Sequence, residues 1–189
     1  MINMTRITDI NAAESIRTGR LIFKRGWEYY IDKLVALILS AAMCMFGVIL
    51  QINTKVDGEL SGFLVYIVSP VLITGGLYAL YRLMTENKLM IIKTGFSKNK
   101  NHKLLIAFLN KYQYHPYHEK DDIIIAEDDD ELSTESAGFA NRKEYTFIIE
   151  DLIIYSNAKK ISRSTTFPSL FAHLILKHDL VKFIAETKD

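Results

Sequence analysis

The sequence predicts a membrane α-helical hairpin joined to a small α+β domain with the element order α-β-β-β-α. Two apolar runs, residues 34–52 and 62–81, contain no Asp, Glu, Lys, Arg or His. A short polar segment, residues 53–61, separates them, and short β-rich and amphipathic runs follow. We therefore expect a basic juxtamembrane tail over residues 1–30, a two-helix hairpin over 31–84 and a cytoplasmic α+β domain over 85–189.

The length of the two apolar runs favours transmembrane helices. At about 1.5 Å per residue, either run matches the roughly 30 Å hydrocarbon core of a bilayer. The alternative is a pair of helices buried in a globular core, which would need apolar protein on every side. The remaining chain is too small and too polar to supply it. The predicted spans are residues 34–52 and 62–84.

Small residues recur along both predicted spans, and they predict that the two helices pack against each other. Such residues let helix backbones approach closely in lipid, where the hydrophobic effect does not press helices together. Pro70, within the second span, is expected to bend it. The predicted packing residues are Ala36, Ser40, Cys44 and Gly47 on the first helix and Gly62, Ser69 and Gly76 on the second.

The distribution of basic residues predicts the orientation. Arginines and lysines are frequent before the first span and after the second, whereas Lys55 is the one basic residue in the turn between them. The positive-inside rule then places both termini in the cytoplasm, as a multi-pass protein of the inner membrane. Trp27, Tyr29, Tyr30 and Tyr81 are at positions expected for an aromatic belt.

Overall composition excludes several kinds of function. The net charge is +1, so we expect no nucleic-acid partner held by bulk electrostatics. Cys44 is the sole cysteine, which rules out an intramolecular disulfide and a cysteine-based metal cluster. No glycine-rich phosphate loop is present, and we expect no cofactor.

The predicted elements outside the hairpin follow from periodicity and from turn residues. Asp9 or Asn11 is expected to cap a short helix within the tail. Pro116 is expected to end the first helix of the domain, and Pro168 to begin the last one. The predictions are a helix over 101–112, strands over 122–127, 144–150 and 152–156, polar loops over 127–142 and 157–166, and a C-terminal helix after 168. Two alternatives stay open: residues 89–93 either prolong the second span or begin a strand, and residues 144–156 form either an antiparallel pair or one long bent strand.

The nearest approach to a metal site is His115 and His118, followed by Asp121 and Asp122. Imidazole and carboxylate ligands suit zinc or another divalent transition metal. The histidines flank a proline turn instead of sharing a helix face, so we interpret them as solvated loop residues and predict no metal. The acidic run 127–131 lacks EF-hand spacing and is interpreted as a solvated loop.

The arrangement of a hairpin over 34–84 followed by a C-terminal domain resembles the two-span effectors of bacterial antiviral systems, such as those of retrons and cyclic-oligonucleotide signalling. That resemblance implies a non-enzymatic protein whose cytoplasmic domain binds a ligand or partner and controls a membrane-perturbing hairpin, with self-association through the small-residue faces. Two alternatives stay open. One is a membrane-tethered, metal-dependent hydrolase or nuclease that uses the histidines and acidic residues; the other is a passive membrane scaffold.

Overall fold

The computed structural model describes residues 9–24, 26–55, 58–120, 122–128, 142–161 and 171–188. The chain divides into two compact units. One, the helical hairpin, contains the described residues from 26 to 85. The other, the sheet domain, contains residues 9–24 and the described residues from 86 onward.

The helical hairpin consists of two long apolar helices. The first, α2, runs over Trp27–Asn53. The second is continuous over Glu59–Thr85 and comprises α3 (Glu59–Phe63), a π-helical turn (Leu64–Val68) and α4 (Ser69–Thr85). Proline lacks an N–H and crowds the carbonyl group one turn earlier, so the wider π turn just before Pro70 relieves that contact. The distortion expected at Pro70 therefore takes the form of a π turn.

The sheet domain contains five antiparallel strands, in the order β1-β5-β4-β3-β2. Two further helices follow β1 and β5. The strands are β1 (Met90–Lys93), β2 (Tyr114–Lys120), β3 (Ile123–Asp128), β4 (Arg142–Ile149) and β5 (Ile153–Ile161); the helices are α5 (Lys98–Lys111) and α6 (Ala172–Lys188).

The sheet domain contains more strand than the sequence predicts. The strands β3, β4 and β5 were expected, and β1 is the strand that was one of the two alternatives for residues 89–93. The strand β2 was not expected, and the sheet has five strands instead of three. β5 continues to Ile161, through residues expected to form a loop. The helix predicted over 101–112 begins one turn earlier, at Lys98. The expected start of the last helix at Pro168, and most of the acidic loop, lie outside the described residues.

One face of the sheet, the helix-covered face, carries the main core. Alternate residues of β4 (Tyr145, Phe147 and Ile149) are buried there against α5 and α6. Leu104, Leu105, Phe108 and Leu109 of α5 and Leu176, Leu180 and Ile184 of α6 pack onto them. Every third or fourth position of each helix faces the sheet, as expected for amphipathic packing.

The opposite face, the N-terminal face, is covered by residues 9–24. This segment contains α1 (Ala12–Thr18), whose N-terminus is capped by the Asn11 side chain as expected. Its apolar residues pack on Ile148 of β4 and on Leu89. Backbone hydrogen bonds join it to the chain before β1: Leu21 N–H donates to the Asn87 carbonyl (2.6 Å), and Leu89 N–H donates to the Gly19 carbonyl (2.9 Å). Residues 9–24, predicted to be a separate tail, are thus part of the sheet domain.

Candidate functional site

The clearest candidate site is a polar cleft of about 520 Å³ in the sheet domain. The β2–β3 hairpin forms one wall and the N-terminal segment the other. The lining residues are Asp9, Ile10, Asn11 and Ala12 from the N-terminal segment and His118, Lys120, Asp122 and Ile123 from the hairpin. Its walls therefore carry a cation, an imidazole, an amide and two carboxylates, which suit hydrogen bonding and ion pairing with a small polar ligand or a polar partner segment.

A β-bulge determines which side chains of β2 reach the cleft. The register shifts between Pro116 and His118, so Tyr117 is an extra residue in β2. His115 pairs with Glu127 and His118 with Ile125, two positions apart on β3. Because residues two apart on a strand share a face, the bulge places both histidines on the N-terminal face. The expected proline turn is instead an edge strand, where a residue without an N–H is tolerated.

The predicted metal candidates do not form a metal centre among the described residues. No group of three or more His, Cys, Asp or Glu side chains is arranged to hold a metal ion there. His118 and Asp122 line the same cleft, but the Asp122 carboxylate also pairs with Lys98 Nζ at 2.5 Å. That hydrogen bond raises the pKa of Lys98 above its usual value. Asp121 lies outside the described residues.

The neighbouring acidic residues are also engaged within the domain. Glu119 lies on the other face of β2, where its carboxylate is 2.8 Å from His102 Nε2 of α5. Asp128 is 3.5 Å from Lys143 Nζ on the paired strand β4. Within the described part of the acidic run, Glu127 and Asp128 therefore belong to β3 and not to a loop; residues 129–131 lie outside the described residues.

A row of polar residues crosses the N-terminal face beside the cleft. Across strands β2, β3, β4 and β5, His115 lies opposite Glu127, Glu127 opposite Glu144, and Glu144 opposite Lys159. Glu144 is 1% exposed, and the Tyr117 hydroxyl donates to its carboxylate. Lys159 Nζ lies 4.9 Å from the centre of the Phe23 ring of the N-terminal segment. The bulge residue therefore anchors a buried carboxylate next to the cleft.

Three residues of this row and its bulge were not predicted as site residues: Tyr117, Glu144 and Lys159. The alternation of Glu144, Thr146 and Ile148 with Tyr145, Phe147 and Ile149 does indicate that Glu144 shares a face with core residues. The partner of Glu144 is not predictable, because it depends on a bulge in another strand.

Most of the predicted helix-packing residues meet inside the helical hairpin. Gly76 lies against Ser40 and Cys44, because a Cβ at Gly76 would be 2.9 Å from the Ser40 carbonyl oxygen and 2.5 Å from Cys44 Sγ. Gly47 lies against Ser69, whose hydroxyl donates to the Gly47 carbonyl oxygen at 2.8 Å. Ala36 is fully buried, and Gly62 is half-buried near the start of the second helix.

These contacts bear on the expected self-association through the small-residue faces. Gly47 and Gly76 are buried between the two helices of one chain. The outer surfaces carry large apolar side chains instead, among them Ile38, Phe46 and Val71. Any helix contact between copies that leaves the hairpin intact would therefore use these outer surfaces.

In comparisons with known proteins, the chain matches no protein-family model, no curated protein and no solved structure.

Proposed function

We propose that this chain is an integral membrane protein whose helical hairpin spans the bilayer and anchors a cytoplasmic binding domain, the sheet domain. One observation carries the anchoring. The two long helices are apolar, yet only 17% and 22% of their most apolar windows are buried by protein. A core helix of a soluble protein would be mostly buried. Lipid is the solvent in which so large an exposed apolar surface is stable.

The polar groups of the hairpin are consistent with this environment. Backbone and side-chain polar groups in a bilayer need partners within the protein. The Ser40 hydroxyl donates to the Ala36 carbonyl oxygen and the Thr74 hydroxyl to that of Pro70, at 2.8 and 2.7 Å. Lys33 Nζ donates to the Leu83 carbonyl oxygen at the opposite end of the hairpin from the turn, where a charged group can reach the interface.

The sheet domain supports a single-sided topology. The chain leaves this domain after residue 24 and returns to it at residue 86. The two flanking segments pair with each other at Leu21–Asn87 and Gly19–Leu89, and this pairing supports a topology with both on the same side of the membrane. The excess of basic residues in these segments favours the cytoplasmic side.

Charge insertion tests the anchoring. Ile38 and Val71 are 58% and 62% exposed on the outer surfaces of the hairpin, and Ile91 is 55% exposed on the sheet domain. Lysine near the centre of a span opposes insertion by roughly 2.5 to 3.5 kcal/mol. We expect Ile38→Lys and Val71→Lys together to reduce the carbonate-resistant membrane fraction strongly, whereas the matched control Ile91→Lys leaves it unchanged.

An exposed lysine is harmless on the surface of a soluble protein. Wild-type chain recovered in the carbonate-soluble fraction, or an unchanged membrane fraction in the Ile38→Lys, Val71→Lys variant, would refute the anchoring.

We propose the polar cleft as the binding site of the domain. To test this, molecules that copurify with the tagged full-length chain are compared among wild type, His118→Ala with Lys120→Ala, and the control Lys103→Ala. Lys103 is exposed on α5 and does not line the cleft. We expect a molecule lost only from the cleft variant. An identical set from all three chains would refute the role of the cleft.

A further inference from the structure

Helix α6 has apolar side chains on two opposite sides. Ala172, Leu176, Leu180 and Ile184 are buried on the helix-covered face of the sheet. On the outward side, Leu174, Ile175 and Val181 are 52%, 56% and 47% exposed, and Phe171, one residue before the helix, is 59% exposed. A helix on the surface of a soluble domain normally has a polar outer side. The outward surface of α6 is therefore as apolar as a surface that contacts a binding partner.

Basic residues line the middle of this outward surface. A shallow groove of about 420 Å³ runs along it, lined by Leu174 and Val181 and by Lys177, His178 and Lys182. Among the described residues, no carboxylate lines the groove; Asp179, beside His178, is half-buried and is not part of the lining. Glu186, near the end of the helix, pairs with Lys111 of α5 at 2.7 Å, so its charge is compensated within the domain.

We propose that the outward surface of α6 binds the headgroup region of a bilayer that contains anionic lipid. Apolar side chains interspersed with lysines are the composition by which interfacial helices bind such bilayers, because the apolar groups enter the interface while the cations meet lipid phosphates. This inference rests on the proposed membrane anchoring.

The chain connections keep the sheet domain close to lipid. Lys24 still belongs to the domain, since its N–H donates to the Asp9 carbonyl oxygen, and α2 begins at Trp27. On the other side, α4 ends at Thr85, and the Glu86 carbonyl oxygen already accepts a hydrogen bond from Asn157 of β5. The two connections are thus at most a few residues long, which favours a lipid surface over a diffusing partner as the ligand.

A fluorescence experiment on the full chain tests the proposal. In a Cys44→Ala background, the environment-sensitive fluorophore NBD is attached to Ala185→Cys on the outward side of α6, or to Lys103→Cys on α5 as the control. The chain is placed in nanodiscs of phosphatidylcholine, with or without phosphatidylglycerol, that also contain spin-labelled lipid. We expect quenching at residue 185 that increases with phosphatidylglycerol, and no such quenching at residue 103.

Charge variants identify the cause of the quenching. Neutralising two lysines near an anionic surface, in Lys177→Gln with Lys182→Gln, should shift the docking equilibrium by about 30-fold. The matched pair Lys93→Gln and Lys103→Gln removes two exposed lysines elsewhere and should leave it unchanged.

Three other outcomes would overturn the proposal. A chain that elutes apart from the nanodiscs refutes both the membrane anchoring and this inference. A chain that elutes with the discs but shows no quenching at residue 185 refutes only this inference. Burial of the probe that depends on protein concentration in detergent, without lipid dependence, would identify a second copy as the ligand.

Discussion

Substitution of Gly76 by alanine tests the close packing of the hairpin helices. A Cβ at residue 76 would lie 2.5 Å from Cys44 Sγ, 2.9 Å from the Ser40 carbonyl oxygen and 3.1 Å from the Cys44 backbone nitrogen. Two of these three atoms belong to the backbone of α2, so a side-chain rotation cannot remove the overlap. The two helices would have to separate.

The free-energy cost of Gly76→Ala follows from this overlap. Ordinary van der Waals contact begins near about 3.5 Å, so the helices must separate locally by at least about half an ångström. Overpacking of this kind typically costs about 1–3 kcal/mol. Alanine also favours a helix over glycine by up to about 1 kcal/mol, which offsets part of that loss. Gly75→Ala is the control for this gain in helix propensity, because a Cβ at residue 75 would approach only Met43 Cε, at 3.9 Å.

Cys44 is a natural reporter for this contact, because its thiol lies against Gly76 and 3.6 Å from the Ile73 carbonyl oxygen. Local opening of the hairpin should limit its reaction with a membrane-permeant maleimide. We expect Gly76→Ala to label about 5- to 150-fold faster than Gly75→Ala, the ratio that 1–3 kcal/mol implies. Equal labelling rates in the two alanine variants would refute the packing.

Three further predictions concern the sheet domain, each measured on the full chain. The Asp151 carboxylate accepts the Lys98 N–H at 2.8 Å and so caps α5; Asp151→Ala should lower the free energy of unfolding by about 1 kcal/mol, measured by denaturant titration. Leu152 has φ of 65°; glycine there relieves about 1–2 kcal/mol of strain and loses about 0.5–1 kcal/mol of chain entropy, so Leu152→Gly should raise the melting temperature slightly. Burial raises the pKa of Tyr114 to about 12. Because the unfolded chain releases that proton near pH 10, stability should be lost as pH rises from 10 to 12, by up to about 2 kcal/mol once solvent screening is allowed for, and Tyr114→Phe should flatten this part of the pH profile.

Each of these predictions has a contrary result. Wild-type stability in Asp151→Ala would show that the carboxylate does not cap α5. A lower melting temperature in Leu152→Gly would show that the Leu152 side chain contributes more than its exposure suggests. The same alkaline loss of stability in Tyr114→Phe and wild type would assign that loss to other groups.

Local sequence patterns were sufficient to predict the helices and strands that have strong apolar periodicity. The small-residue spacing of the two apolar runs predicted the helix faces on which Gly76 meets Cys44. The runs of isoleucine in β3, β4 and β5 predicted strands, and the apolar spacing of α5 and α6 predicted helices. In each of these elements the local pattern and the buried surface coincide.

The remaining features depend on contacts distant in sequence. Pro116 indicated a turn, but at the edge of a sheet its missing N–H leaves no buried partner unsatisfied. The residue nearest to capping α5 by sequence, Ser97, makes no side-chain capping bond, and Asp151 supplies it from the turn between β4 and β5. The N-terminal segment has only scattered apolar residues, and its place on the sheet becomes apparent only beside Ile148 and Leu89.

For the candidate site, sequence supplied residue types but not geometry. His118 and Asp122 do line one cleft, yet the wall opposite them comes from Asp9 to Ala12, more than a hundred residues earlier in the numbering. The bulge at Tyr117, which sets the face of both histidines, has no local signature comparable to a glycine turn.

In the topology that we propose, the hairpin crosses a membrane and both segments flanking it remain on the cytoplasmic side. Single cysteines at Ala13, Glu59 and Lys103, in a Cys44→Ala background, probe the N-terminal segment, the turn of the hairpin and the sheet domain. With a membrane-impermeant maleimide on intact spheroplasts, we predict labelling at residue 59 alone, and labelling at residues 13 and 103 only after lysis. Labelling of residues 13 and 103 from opposite sides, or of either one from outside intact cells, would refute this topology.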